Sequence, residues 1–288
     1  MYEAEQTQAP KAQARDSMFV NDSEDRTRLP QFAPVIPIEI ASQLPEEVLG
    51  GYHLLLAHDV LERPDDYKNI YADKGWTIMM DNSLVELGYP LSMRETLDAA
   101  KVVGAQYIIL PDVMGDYEGT VAATNEALTE WYNLSQEDRS NVQLLYVIQG
   151  KHYGEHMSCV LQFTHREDIA GACVPRIIAD TCGTRKHVVE LATKCSRVHL
   201  LGFSENLWDD VACARMPRVN GIDSAVPIRL GMQGRTLSFD QPKDAGKRGD
   251  FWDNPWRYER AGTVLMERDS LLATAIRNIR DFRKAITF

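Results

Sequence analysis

The side chains of this sequence best suited to chemistry are acids that close apolar runs. Asp81 ends TIMM and is followed by Asn82 and Ser83, Asp112 ends IILP, and Asp223 ends NGI just ahead of SAVP. A buried carboxylate without a partner is costly, so each position calls for a local partner or a reactive role. Two carboxylates facing one another across a site suit chemistry at a sugar anomeric carbon. One attacks C1′ and forms a covalent glycosyl intermediate; the other moves a proton on the departing group. Metal-assisted hydrolysis competes for the same acids, and the histidine at a strand end that it would use is represented by His58, beside Asp59. Taken singly, any of these acids could instead cap the following helix or pair with an arginine. Three of them ending different strands of one barrel favour a shared site. Gln149 with Gly150 closes LYVI, and Ser204 with Glu205 follows LLGF. Gln149 could equally brace a loop, Asn82 and Ser83 could cap the segment after them, and Ser204 and Glu205 could open a helix.

The elements that must carry these residues alternate regularly. Apolar runs at 52–60, 75–81, 106–112, 142–150, 169–174, 198–203 and 221–226 read as strands. Between them, 120–132, 153–163, 185–194 and 205–215 read as helices, and Ser92 with Glu95 forms a capping box that opens a helix through Val103. A basic amphipathic helix fills 266–288, and its Arg277, Arg280, Arg283 and Lys284 read as a solvated face in preference to a second phosphate contact. Strands that are apolar throughout and separated by helices predict a parallel sheet covered on both sides. That pattern favours a (βα)8 TIM-like barrel, with a doubly wound sheet as the alternative. No GxGxxG and no GxxxxGK[ST] occurs, which removes the simplest nucleotide-binding reading of an open sheet. Residues 1–33 are rich in Gln, Ala, Asp, Arg and Ser without apolar periodicity and predict a mobile N-terminal arm ahead of a barrel at 34–288.

Composition narrows the class. With 288 residues, 44% hydrophobic and 25% charged, the chain is that of an ordinary globular protein rather than a fibrous or disordered one. No apolar run is long enough to span a bilayer, and the start, MYEAEQTQAPKAQARDS, lacks the basic and then apolar segments of a secretory signal. Five cysteines without a CxxC suit a reducing compartment, so a cytoplasmic protein is expected. The net charge of −11 argues against broad nonspecific nucleic-acid binding, though not against a local basic channel.

Several of these segments resemble the tRNA-guanine transglycosylase superfamily. Gly221-Ile-Asp223-Ser-Ala-Val-Pro227-Ile-Arg229 resembles the family's GIDxFDxVxPTRxAR segment, and Met80-Asp81-Asn82-Ser83 its DSGGFQ segment. Ile109-Leu-Pro-Asp112, Tyr146-Val-Ile-Gln149-Gly150 (IVQGG in the family), Ile169-Ala-Gly171-Ala and His199-Leu-Leu-Gly202-Phe (LMGVG) follow in the family's order, over about residues 50 to 235. The resemblance implies Asp223 as nucleophile and Asp81 as general acid/base. It implies that Asp112, Gln149, Gly150 and Gly171 hold the base, with Asn82 and Ser83 beside them. Two departures stand out. The family's base-stacking phenylalanine falls at Val85 and its glutamine at Glu86. The structural zinc set is missing, because no cysteine follows Cys213. Cys182, His187, Cys195 and His199 could be tried as a substitute, but their spacing crosses a predicted helix and strand, so buried structural thiols are the better reading and no metal or other cofactor is expected.

A chain lacking the zinc subdomain and carrying an odd arm is most similar to the DpdA-type DNA-guanine transglycosylases of phages. That likeness implies exchange of guanine in DNA, or alternatively tRNA, for a free 7-deazaguanine such as preQ0, in the host-cell cytoplasm if the chain is phage-encoded. A catalytically silent member that binds nucleic acid or a partner protein is the alternative of another class. Residues 229–260 combine Arg229, Arg235, Lys247 and Arg248 with Phe251, Trp252, Trp256 and Tyr258, a candidate backbone and stacking surface. Equally, these aromatics could pack on the barrel. A homodimer or an auxiliary protein could supply further binding surface.

Overall fold

The computed structural model describes residues 29–139, 141–240 and 268–288. Among the described residues eight parallel strands form one sheet: β1 Gln31–Pro34, β2 Tyr52–Leu56, β3 Thr77–Asp81, β4 Tyr107–Ile109, β5 Gln143–Val147, β6 Ile169–Pro175, β7 Arg197–Leu201 and β8 Val219–Ser224. The hydrogen-bonded order is β1-β8-β7-β6-β5-β4-β3-β2. Because β1 and β2 also lie side by side, the sheet nearly closes into a (βα)8 TIM-like barrel. The expected architecture is therefore the one present.

Period-two alternation explains why the strand runs are apolar from end to end. One set of side chains, including Leu54, Met79, Ile109, Leu145, Val147 and Cys173, fills the barrel interior. The other, including Leu55, Ile78, Ile108, Tyr146, Val174 and Leu200, packs outward under the helices. Both faces are buried, so both sets are mostly apolar and the few polar members, such as His53 and His199, need hydrogen-bond partners.

The covering helices are α1 Ile38–Ala41, α2 Glu46–Leu49, α3 Ala57–Glu62, α4 Pro64–Tyr71, α5 Leu84–Leu87, α6 Met93–Val103 and α7 Tyr117–Asn133. They continue with α8 Gln136–Arg139, α9 Tyr153–Phe163, α10 Ile177–Cys182, α11 Lys186–Ala192, α12 Leu207–Ala214, α13 Val226–Met232 and α14 Arg268–Thr287. The capping box of α6 forms as expected, with Ser92 Oγ accepting from Glu95 N at 3.3 Å and Glu95 reaching back to Ser92 N. Helix α14 crosses α13 so closely that a Cβ on Gly231 would lie 2.2 Å from the Ala275 Cα. Its Phe282 then packs against Phe32 of β1 and against Phe203.

Three expectations are corrected here. Order begins before residue 34: Gln31–Pro34 is a barrel strand, and Ala33 pairs in register with Asp223. Residues 1–28 of the expected arm lie outside the described residues. The strand expected over 52–60 is shorter, and neither His58 nor Asp59 ends it, because β2 stops at Leu56 and the chain turns directly into α3, where His58 and Asp59 pair at 3.2 Å. Nor is the basic face of the last helix wholly solvated. Arg283 donates to the carbonyls of Val48 and Leu49 at the end of α2, at 2.6 and 2.7 Å, and its burial lowers its pKa to about 10.

Candidate active site

Parallel strands all deliver their last residues to one end of the barrel, which is where this fold builds sites. A cavity of about 570 Å³ opens there, and Asp81, Asp112 and Asp223 all line it. The three acids are close enough to act on one thiol: burial pushes Cys173 of β6 well above its ordinary range, and Asp81, Asp223 and Asp112 add to the push. Glu86, Asp180 and Glu205 deepen the negative charge of the lining, while Arg176 and Arg229 contribute positive charge.

One wall is a network of side-chain amides. Asp112, 5% exposed, accepts from Asn82 Nδ2 on Oδ1 at 3.1 Å and from Gln149 Nε2 on Oδ2 at 2.7 Å. Asn82 Nδ2 also donates to Leu110 O at 2.9 Å, and its Oδ1 accepts from Leu84 N at 3.0 Å. The Gln149 Oε1 accepts from Gly115 N at 3.0 Å. Burial raises the Asp112 carboxyl above its usual range, and the bonds from Gln149 and Asn82 oppose that rise without cancelling it. On the same wall Asp81 Oδ2 accepts from Ser83 N at 3.0 Å, a contact made because Ser83 turns left-handed at φ 64° immediately after the strand. Such a conformation in a non-glycine residue is strained and persists where its surroundings demand it.

The opposite wall holds Asp223 differently. Its Oδ1 accepts from His199 Nε2 and from Gly202 N, each at 3.1 Å. The other ring nitrogen of His199, Nδ1, lies 2.9 Å from the Tyr52 hydroxyl across the barrel interior. Gly202 has φ +69°, which a glycine adopts without penalty, and its carbonyl accepts from Arg185 Nη2 at 3.0 Å. Arg185 is wholly buried and pairs with the equally buried Asp210 at 2.7 Å, and Asp210 also accepts from the backbone and hydroxyl of Ser204. A buried ion pair thus braces the turn that aims an N–H at Asp223.

Sequence-predicted residues separate into three groups. Asp81, Asn82, Asp112, Gln149, Asp223 and Arg229 line the cavity. Arg229 does so as a residue only 8% exposed, at the mouth rather than on an open surface. Val85 and Glu86, standing where the family has its stacking phenylalanine and glutamine, also line it. Ser83, Gly150, Gly171 and Arg235 lie elsewhere. Ser83 is fully buried and accepts from His58 N on its hydroxyl. At Gly150 a Cβ would meet the Glu155 Cβ at 2.7 Å, so its place is the packing of α9. Gly171 sits deeper in the barrel, where a Cβ would lie 2.4 Å from Arg197 O, and the β6 residue that reaches the cavity is Pro175. Half-buried Arg235 donates to Gln233 Oε1 at 3.2 Å. Lys247, Arg248 and the aromatics at 251–258 lie outside the described residues.

The substitute zinc set does not converge: Cys182 lies near His156, Cys195 near Tyr146, His187 near Glu190 and His199 on Asp223. Among the described residues no group of three or more His, Cys, Asp or Glu is arranged to hold a metal ion. Glu205 lines the cavity, whereas Asn206 rather than Ser204 caps α12. Tyr52 and the Arg185–Asp210 pair are not legible in the sequence as site residues, and His199 stands there only as a tried zinc ligand and as part of a segment resembling a family strand. His199 shares the inward period of its strand, but a histidine within an apolar run carries no signal of its partner.

The chain matches no protein-family model and no curated protein. No helix among the described residues is long and apolar enough to cross a membrane.

Proposed function

We propose that this protein is a pentosyltransferase that exchanges guanine in nucleic acid for a free 7-deazaguanine, with DNA preferred to tRNA as the acceptor. The observation that carries the reading is the trio of aspartates around one cavity, two of them in contrasting surroundings. Asp223 has one carboxylate oxygen held from behind, as suits a nucleophile, and Asp112 sits in an amide network, as suits recognition of a base edge.

A target nucleotide is extruded from its strand to reach a site of this depth. Asp223 attacks C1′ as the C1′–N9 bond breaks, and Asp81 gives a proton to N9 of the departing guanine. Asp112 and Gln149 face the Watson–Crick edge. The incoming base then loses its N9 proton to Asp81, forms the new C1′–N9 bond and frees the Asp223 carboxylate. The covalent intermediate conserves the glycosidic bond energy, so no redox or nucleotide cofactor is required. Arg176 and Arg229 supply positive charge at the mouth for a backbone phosphate.

The test is incubation with radiolabelled guanine and duplex DNA, single-stranded DNA or tRNA, scoring label in each. Label in DNA supports the reading, label in tRNA alone moves the acceptor to RNA, and label in none overturns it. Asp223→Asn should abolish the covalent adduct; an adduct that survives refutes the nucleophile.

A further inference from the structure

We infer that His199 is the positioning residue of Asp223. It fixes Oδ1, reserves Oδ2 for the sugar and favours return of the free carboxylate at the end of the exchange. The second part rests on the reading of Asp223 as nucleophile. The first part is geometric. A carboxylate only accepts hydrogen bonds, so His199 Nε2 carries the proton of the 3.1 Å contact with Asp223 Oδ1. Gly202 N–H falls on that same oxygen. The imidazole is itself held: it is 0% exposed, Tyr52 Oη lies 2.9 Å from Nδ1, and the Tyr52 ring is admitted by Gly221, where a Cβ would be 2.5 Å from Tyr52 Cε1. Tyr52, His199 and Asp223 thus form a line through the barrel interior. The sheet register supports it, because His199 pairs with Gly221, two residues before Asp223 on β8.

The chemical consequence follows from charge. When Oδ2 bonds to C1′, Asp223 becomes a neutral ester and Oδ1 its carbonyl. When the incoming N9 takes C1′, the Oδ2–C1′ electron pair returns and Oδ1 again shares a full negative charge. Hydrogen bonds to a charged acceptor are about twice as strong as those to a neutral one. The Nε2–H donor therefore favours the free carboxylate over the ester, and losing it should leave the adduct populated on the order of tenfold more at steady state.

The test compares wild type, His199→Phe and His199→Gln, the last keeping an N–H donor. Adduct is trapped by denaturation during exchange, alongside 15N-edited NMR of the histidine rings in wild type and Tyr52→Phe. The expected result is adduct accumulation with slowed release in His199→Phe, and reversal toward wild type in His199→Gln. Wild-type spectra should show a protonated Nε2, and Tyr52→Phe should shift Nδ1. A wild-type adduct level in His199→Phe, or equal slowing of both half-reactions in both variants, overturns the inference. An unprotonated Nε2 overturns it whether or not the protein exchanges bases. A protein with the expected ring spectrum that exchanges no base supports His199 as the holder of Asp223 and defeats the transglycosylase reading instead.

Discussion

The two walls of the cavity solve one problem in opposite ways. Both bury a carboxylate almost completely, Asp112 at 5% and Asp223 at 7% exposure. On the Asp112 wall, neutral amides from β3 and β5 neighbours occupy both oxygens. On the Asp223 wall, an imidazole and a backbone N–H share one oxygen, and the turn donating that N–H is braced by a buried Arg–Asp pair. The first arrangement holds an acceptor still on two points and suits recognition. The second places both donors on one oxygen, the arrangement on which the proposed nucleophilic role rests. Burial alone does not distinguish the two acids; the distribution of donors over their oxygens does, and the proposed roles of binding and reaction rest on that difference.

The contrast can be broken at its strongest point first. Asp223→Asn should remove covalent chemistry completely, whereas Gln149→Leu should weaken base binding and leave an adduct; trapping and KM against kcat separate them. Next, Arg185→Met leaves Asp210 charged and buried without its partner. A loss of about 3–5 kcal/mol in denaturant unfolding is expected, with the Asp223 wall loosened and the Asp112 wall intact.

Acid sensitivity gives a third measure, with His53 as a reference outside both walls. Its Nε2 donates to Gly50 O at 2.8 Å, and burial lowers its pKa to about 4. Between pH 6.5 and about 4 the unfolded chain binds a proton that the folded one refuses. The stabilisation is full above pH 6.5 and lost as pH falls through that window, about 3 kcal/mol in all. His53→Gln should flatten this slope in unfolding measured from pH 7 to 4. Asp112 acts in the reverse sense: its carboxyl is raised, so its contribution is greatest below its ordinary pKa and declines as pH rises. The smallest effect is the stability change of Gln149→Leu, about 1–3 kcal/mol from the Asp112 and Gly115 bonds left unmade.

Much of this site is legible in the chain. Asp81, Asp112, Gln149 and Asp223 each follow an apolar run, and that local pattern suffices to place them at the mouth of a parallel barrel. Boundaries are less legible. Asp112 and Gln149 lie beyond their strands, since β4 stops at Ile109 and β5 at Val147. Gly171 is a site residue only by what the resemblance implies, close approach of a ligand, whereas a glycine in a strand also serves close approach of backbone. Here the second applies, with Arg197 O in the way of any side chain.

Local sequence therefore determined the alternation of strands and helices, the two apolar faces of each strand and the acids at strand ends, because these depend on residues within a few positions of one another. Tertiary structure decided which acid meets which donor. Tyr52 and His199 are 147 positions apart, and His199 and Asp223 are 24 apart. Those meetings depend on sheet register, where a slip of one residue turns every side chain to the opposite face. Register is set by closure of the whole barrel, including β1 against β8, and no single segment contains it.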